Sequence, residues 1–222
     1  DLLFCLSGSQ DLITPKLTSH HQQVAYLSFR LCEELGLSQE EQKDAVIASL
    51  IHDIGAITAA ERFEIIENEP PTVNSHAFRG AKLIENFKPL NTASEIIKFH
   101  HIPWKSGRGV SYKGEKIPLL SHVLHISDRT CTMLIRSLNI ISQVPQVIAA
   151  IRQKTDELFV PSLVEALERL GEKEYIWLDL VSRSPADKIP DIGQSSILPM
   201  DVNDIVEIAY IFSHIIDFRS SF

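Results

Sequence analysis

An apolar helix that leads directly into an imidazole and a carboxylate constrains this chain more than any other stretch. Residues 45–51 are almost uninterruptedly apolar, and His52, Asp53 and then Gly55 follow them. A carboxylate at the end of a buried helix costs several kcal/mol unless a cation or strong donors compensate it. Because an adjacent imidazole and carboxylate suit a borderline divalent metal ion, we expect a metal here. We also expect Gly55 to end the helix in a left-handed conformation.

Apolar residues recur at helical spacing along most of the chain, and no stretch has a convincing strand pattern. One predicted helix runs from His20 to the stop at Gly36, and the next begins at a capping box formed by Ser38 and Glu41. Further helices are expected at about 76–87, 92–101 with Thr92 as the cap, 118–135, 144–154, 161–170, 174–181 and 202–216. The predicted fold class is therefore all-α, a helical bundle with no significant sheet.

The composition excludes several classes of protein. A formal net charge of −8 disfavours binding to a nucleic acid polymer, which needs clustered lysine and arginine. The sequence has neither an apolar run of about 18 residues nor a leader pattern, so we expect no membrane span and a cytoplasmic location. Cys5, Cys32 and Cys131 are too widely separated for a zinc or disulfide framework, and we expect them to be small core residues.

Histidines and aspartates at helix ends and on apolar faces form the candidate site. A lone histidine that opens a helix is usually a capping or surface residue, but the joint pattern is harder to explain without a metal. Ligands from separate helices can converge on one cavity. The candidate ligands are His20, His52, Asp53, His76, His100, His101 and Asp128, whereas His21, His122, His125 and His214 are expected to be ordinary.

The order of these candidate ligands resembles the HD superfamily of metal-dependent phosphohydrolases. More narrowly it resembles the HD-GYP branch, whose members hydrolyse cyclic di-GMP. The matching segments are HHQQVA at 20–25, LIHDIGAI at 50–57, HAFRG at 76–80, HHIPW at 100–104 and IPLLSHVLHISD at 117–128, followed by LFVPSLVEAL at 158–167 and EYIWLDL at 174–180. The resemblance therefore covers nearly the whole chain and implies an HD-domain helical bundle.

The resemblance also implies two divalent metal ions, which are usually iron or manganese in this family. One ion would be held by His20, His52, Asp53 and Asp128, and the second by His76, His100 and His101, with Asp53 as the bridging and catalytic ligand. The implied activity is hydrolysis of a small phosphoester or nucleotide in signal transduction, with cyclic di-GMP as the family substrate. A metal-activated water would be the nucleophile.

The chain departs from the family pattern around the ligands. Ala56 stands where the family has a lysine that contacts phosphate, Ile102 replaces a glutamate, and Lys16 replaces the glutamate of members with a third metal. Residues 105–110 lack the family's Gly-Tyr-Pro, although Lys105 and Arg108 could bind a substrate phosphate unless this loop is merely solvated. These losses favour an alternative, a catalytically impaired HD domain that retains metal and serves regulation or dimerisation.

The domain organisation predicted from the sequence is an HD-GYP-like domain at 1–183, a linker at 184–200 and a helix at 201–222. Residues 215–222 resemble the stretch that precedes the first histidine of HD-GYP domains, where Thr-x-x-His-Ser follows. We therefore expect this helix to lead into a second HD domain. Its apolar face is expected to pack on a neighbouring copy, which would give a homodimer, or to fold back on its own domain.

Overall fold

The structure is a computed structural model that describes residues 19–56, 74–190 and 202–219, together with positions 3, 7, 58, 61, 64 and 65. Helices provide almost all of the regular structure in these ranges, so the predicted all-α fold class is confirmed. They are α1 (His20–Glu34), α2 (Gln39–Ile51), α3 (Asn74–Ile84), α4 (Asn91–Lys98), α5 (Leu119–Thr132), α6 (Ile140–Arg152), α7 (Pro161–Gly171), α8 (Glu174–Leu180) and α9 (Val202–Arg219).

Helix ends follow local signals where a side chain can cap them. The capping box before α2 forms as predicted, because Glu41 N donates to Ser38 Oγ (3.3 Å) and Ser38 N donates to Glu41 Oε2 (2.9 Å). Thr92 does not cap α4, so that expectation is wrong. A 3-10 turn at Lys88–Leu90 carries the chain into the helix two residues earlier than a Thr92 cap requires, and Leu90 at the cap position offers no side-chain acceptor.

A small hairpin follows α4, and no strand pattern in the sequence predicted it. β1 (Ser111–Tyr112) pairs antiparallel with β2 (Glu115–Lys116). The two residues between the strands, Lys113 and Gly114, have φ values of 49° and 87°. Positive φ at both central residues is typical of the tight turn that matches strand twist in hairpins. Strands of two residues are too short to produce a visible alternating pattern.

The core is built around α1, which packs against α2, α5 and α7. Tyr26, Leu27 and Leu31 of α1 are fully buried and belong to one apolar cluster with Leu124 of α5 and Trp177 of α8. This packing fixes the relative positions of the helices that carry most of the candidate ligands. Dense cores deform little, so side chains at the ends of these helices keep defined positions.

The start of the predicted linker packs on this core. A 3-10 helix at Pro185–Lys188 contacts α1, and Ala186 and Ile189 are buried. Residues 191–200 lie outside the described part of the chain. The domain boundaries stay a prediction.

The two cysteines that the structure describes are buried and free, in keeping with small core residues. Burial raises the pKa of the Cys32 thiol to about 12, and the pKa of Cys131 is also raised well above its usual value by burial. Both thiols are therefore protonated and unreactive at neutral pH. Cys5 lies outside the described residues.

Gly55 permits a close approach of two segments rather than a left-handed cap. It is not among the described residues with positive φ, so the predicted conformation is wrong. A Cβ at this position would lie 2.1 Å from His76 O and 2.3 Å from Gly80 N, which excludes any side chain. Gly55 and Gly80 thus bring the turn after α2 into contact with α3, and His76 comes to lie beside Asp53.

The last described helix, α9, leaves several apolar side chains exposed. Val202, Ile205, Val206 and Tyr210 are exposed, whereas Ile208 is partly buried against the core. The predicted apolar face also includes Phe212 and Ile216, whose side chains lie outside the described set. None of the helices described here, α9 included, is long and apolar enough to cross a membrane.

Candidate metal centre

All seven ligands predicted from the sequence converge in one buried region. Among the residues that the structure describes, three groups of side chains each offer ligand atoms that lie within 4.8 Å of one another. We call them triad A (His20, His52 and Asp128), triad B (His76, His100 and His101) and triad C (His21, His52 and Asp53). Every member is buried, and His21 is the one residue that the sequence analysis did not include.

Five separate elements deliver these side chains to the same place. The donors are His20 at the first residue of α1, His52 and Asp53 just after α2, His76 in α3, His100 and His101 just after α4, and Asp128 in α5. Side chains at helix ends and on core-facing stripes can meet only when the helices pack around a common centre. The convergence is therefore a property of the fold.

Backbone carbonyls fix the orientation of two imidazoles. Nδ1 of His52 lies 2.9 Å from Ser49 O, and Nδ1 of His100 lies 2.7 Å from Ile97 O. Because a carbonyl can only accept, each Nδ1 carries the proton, and each Nε2 is turned toward the cluster. Nε2 of His100 has no hydrogen-bond partner among the residues described. A buried ring nitrogen of this kind fits a metal ligand with its second nitrogen held by the protein.

Asp53 lies between the triads. Its Oδ1 is 3.2 Å from His76 Nε2 in triad B, and its Oδ2 is 3.5 Å from His52 Nε2, which triads A and C share. Burial opposes ionisation, but the charge of His52 and the hydrogen bond from His76 hold the pKa of this carboxyl well below its usual range. Asp53 is therefore an ionised carboxylate with one oxygen toward each group, which is the arrangement that a bridging ligand requires.

Asp128 is oriented by Arg129, a residue that the sequence analysis missed. Oδ1 of Asp128 lies 3.1 Å from His20 Nε2, whereas Oδ2 accepts from Arg129 Nε (3.2 Å). Burial opposes ionisation of Asp128, yet the Arg129 guanidinium and the two imidazoles of triad A hold its pKa well below the usual range. An arginine directly after a buried aspartate was a signal for this pairing, since such a carboxylate needs a cation.

Two neighbouring imidazoles have opposite charge preferences. Burial disfavours protonation of His52, but the carboxylates of Asp53 and Asp128 outweigh it and raise the pKa of His52 to about 9. Burial and then the nearby imidazoles, His101 first, hold the pKa of His100 well below its usual value. A divalent cation would suit both imidazoles, since it would replace the proton of His52 and would bind the neutral ring nitrogen of His100.

The residues that depart from the HD-GYP pattern are packed into apolar surroundings. Ala56 is buried against Ile65. Ile102 is buried in a cluster with Phe99 and Ile117. The chain therefore offers neither a cation at 56 nor a carboxylate at 102 to a bound ligand.

Lys105 and Arg108 lie on an ordered loop and are exposed, in contrast to every clustered ligand. The loop is held by backbone hydrogen bonds from Trp104 N to Leu158 O (3.0 Å) and from Lys105 N to Glu157 O (2.9 Å). Arg108 Nε donates to Lys105 O (3.2 Å). Their role in substrate binding stays a prediction.

Four histidines were expected to be ordinary, and His21 alone among the described ones belongs to a triad. His122 is buried outside the triads, and its Nε2 donates to Gly109 O (3.0 Å), which ties α5 to the loop after α4. The His125 ring contacts His101 with centroids 5.6 Å apart. The side chain of His214 lies outside the described set. His21 differs from His122 and His125 because it belongs to triad C, where it is completely buried. The sequence signal that could have identified His21 was its position directly after His20, the first predicted ligand.

The fold and the buried cluster define a helical protein with a histidine and aspartate centre suited to divalent cations. A profile of the HD domain family matches residues 17–133, which is more than half of the chain. The matched segment runs from just before His20 to just after Asp128 and so contains all three triads. The chain belongs to the HD domain family.

Two curated relatives are phosphodiesterases. The chain is 23% identical over 230 residues to the 3'3'-cGAMP-specific phosphodiesterase 1 of Vibrio cholerae, an alignment that covers 99% of this chain and 53% of that protein. It is 27% identical over 183 residues to a cyclic di-GMP phosphodiesterase of Thermotoga maritima, covering 78% of this chain and 49% of that protein. The chain thus spans about half the length of the curated relatives it matches.

A solved structure shares the fold. The crystal structure of a cyclic GMP-AMP-specific phosphodiesterase of V. cholerae superposes with a TM-score of 0.76 at 19% identity, covering 99% of this chain and 60% of that one. At 19% identity this similarity shows a common fold, that is, the same arrangement of helices.

Proposed function

We propose that this chain is a metal-dependent phosphodiesterase domain that hydrolyses a cyclic dinucleotide, with cyclic di-GMP or 3'3'-cGAMP as the substrate class. The observation that carries the proposal is the position of Asp53, whose two oxygens face triads A and B separately. The activities named for the V. cholerae and T. maritima relatives support the choice of substrate.

The triads have the donor chemistry for two divalent ions of the iron or manganese kind, one in triad A and one in triad B, with Asp53 shared. Bound cations would neutralise the phosphate oxygens and lower the pKa of a water molecule, the chemistry needed to replace the ester P–O bond with a bond to the water oxygen. The chain itself holds the geometry. Ser49 O and Ile97 O fix the rings of His52 and His100, and Arg129 holds Asp128 with one oxygen turned to triad A.

One set of observations favours a second candidate, an HD domain that binds metal without turning over substrate. Ala56 and Ile102 are packed in apolar contacts, and no cation or carboxylate stands at either position. In that case the domain would bind metal and serve in regulation or dimerisation, without hydrolysing a substrate. In the regulatory domain, substitutions of Lys105 and Arg108 would leave function unchanged. In the active enzyme, these two side chains would bind the substrate phosphate.

The decisive experiment is turnover by protein loaded with manganese or iron(II). Cyclic di-GMP, 3'3'-cGAMP and a chromogenic phosphodiester are supplied, and linear products are quantified alongside the metal content of each sample. We expect hydrolysis of at least one cyclic dinucleotide and a drop of about 100-fold or more in Asp53→Asn. The exposed Asp187→Asn is the matched control, and it should keep wild-type turnover.

The two candidates separate in this assay. Two bound ions per chain without turnover of any ester would contradict hydrolysis and support the regulatory candidate. A chain that binds no divalent cation would contradict both.

We also infer a homodimer through α9, because Val202, Ile205, Val206 and Tyr210 form an exposed apolar surface on one helix. A location in the cytoplasm and a preference for small nucleotides over nucleic acid polymers complete the proposal. The acidic net charge supports the latter point.

A further inference from the structure

His21 occupies an unusual position for a residue next to a metal-ligand candidate. Successive side chains on a helix point about 100° apart, so neighbours seldom face one site. Here α1 begins at His20, after Ser19 with φ 61° and no side-chain cap, and both histidines are buried. The His20 ring reaches Asp128, whereas the His21 ring turns to His52, with centroids 4.9 Å apart.

The donors around His21 are close enough for one cation. His21, His52 and Asp53 each offer a ligand atom, and the three atoms lie within 4.8 Å of one another. Bonds from zinc or a similar ion to nitrogen and oxygen are about 2.0–2.2 Å long, so donors on one ion lie up to about 4.4 Å apart. Triad C therefore needs only a small contraction to enclose an ion.

The charges of triad C also fit a cation. Asp53 supplies the carboxylate of this triad, and its Oδ2 lies 3.5 Å from His52 Nε2. Two imidazoles and one carboxylate are a donor set for a borderline transition ion such as iron(II), cobalt(II) or zinc. Because His52 also belongs to triad A and Asp53 also contacts His76, a ligand at His21 would act at the junction of the two expected ion positions.

We propose that His21 is a metal ligand, and that it binds through its imidazole to the divalent ion shared by His52 and Asp53. It thereby adds a sixth histidine to the five predicted from the sequence. The inference rests on the metal-binding part of the proposed function and does not depend on the hydrolysis of any ester.

The first test uses cobalt(II), whose visible absorption reports the number and kind of its ligands. Wild type and His21→Gln are stripped of metal, titrated with cobalt(II) in competition with a chromogenic chelator, and scanned. We expect His21→Gln to bind at least about tenfold more weakly and to show altered ligand-field bands, since even residues outside the coordination sphere affect affinity by 10–100-fold. His122→Gln is the matched control, a buried histidine outside the triads, and it should retain the wild-type bands.

Two results would overturn the inference. His21→Gln could match wild type in affinity and spectrum. Alternatively it could bind more weakly with unchanged bands, which would mean that His21 acts outside the coordination sphere.

A second measurement keeps the inference testable if His21→Gln does not fold. Wild-type protein with ¹⁵N-labelled histidine is loaded with zinc, and long-range proton–nitrogen spectra identify each imidazole nitrogen that binds metal. We expect six ligating histidines. Five would overturn the inference. Ligation by His21 in a protein that hydrolyses no diester would support it while contradicting the proposed hydrolysis.

Discussion

Two buried imidazoles in the same cluster, His52 and His100, respond in opposite ways to their neighbours. Two carboxylates surround His52 and raise its pKa, whereas His100 faces other imidazoles and stays neutral. When no metal is bound, the proton on His52 therefore offsets part of the negative charge of Asp53 and Asp128. Metal binding therefore exchanges a proton for an ion at His52.

Metal uptake should consequently release a proton from His52. The pKa of about 9 means that this imidazole is protonated at neutral pH, and only the neutral ring can ligate. We expect the apparent affinity for manganese to rise by at least about tenfold per pH unit between pH 6 and pH 8. Calorimetric titrations in two buffers of different ionisation enthalpy give the number of protons released, and a value near zero would contradict this.

His122 should make the metal-free protein less stable in acid. Burial lowers its pKa to about 4, against about 6.5 in an unfolded chain, so the unfolded state binds more protons between these values. This histidine's contribution to stability is therefore present above about pH 6.5 and is lost as the pH falls toward 4. Over the whole titration of His122, the free energy of unfolding falls by about 3 kcal/mol.

Urea denaturation of His122→Gln at pH 7 and pH 5 checks that contribution. The variant should be less stable than wild type at pH 7, because the bond to Gly109 O is lost. Between pH 7 and pH 5 the free energy of unfolding should fall less for the variant than for wild type, by about 2 kcal/mol. An unchanged pH dependence would show that His122 is not the residue responsible.

At the scale of elements, the contact between the turn after α2 and the helix α3 decides the distance between Asp53 and His76. That contact exists because both facing residues are glycines, Gly55 and Gly80. Local sequence signals set where each helix begins and ends, but the ligand geometry depends on how closely two helices approach. The site is therefore sensitive to the volume of residues that never touch an ion.

Gly55→Ala should disrupt the metal centre. The new Cβ would meet backbone atoms at 2.1–2.8 Å, so neither partner can move aside without shifting α3. We expect a loss of about 3 kcal/mol or more in the free energy of unfolding, and weaker cobalt(II) binding. Gly171→Ala is the control, since its Cβ would meet the end of the flexible Ile148 side chain. Equal stability and metal affinity of the two variants would contradict the argument.

At the scale of the whole molecule, α9 leaves most of the apolar side chains that the structure describes on it exposed. Ile205 and Val206 are 55% and 62% exposed, while the adjacent Ile208 is partly buried on the core. The matched segments cover about half of each curated relative. An interface with a second copy would cover this face.

Ile205→Glu should weaken self-association. Wild-type protein is expected to show a concentration-dependent equilibrium between monomer and dimer in sedimentation experiments, and the variant should shift toward monomer. Glu207→Gln, an exposed polar change on the same helix, serves as the control. A wild type that stays monomeric while the amides of α9 are protected from hydrogen exchange would favour folding back on the same domain.

The sequence by itself determined the fold class and the predicted ligand set. Helical periodicity and the capping box at Ser38 are local signals, and they were sufficient because helices form from contacts within a few residues. The order of histidines and aspartates also predicted which seven side chains would cluster, and their metal ligation stays a prediction. The hairpin at Lys113 and Gly114 was missed because a tight turn between two-residue strands leaves almost no pattern.

Only the tertiary structure decided which additional residues belong to the centre and how the parts approach one another. His21 joins triad C because other elements surround α1 on most sides, so that consecutive side chains such as His20 and His21 are both buried. Helical periodicity does not specify which elements pack around a helix. Gly55 was assigned to a cap because a glycine after a helix usually serves as one, but here it removes a clash with α3. Distances across the chain depend on packing between elements, so they follow from the three-dimensional arrangement and not from local sequence.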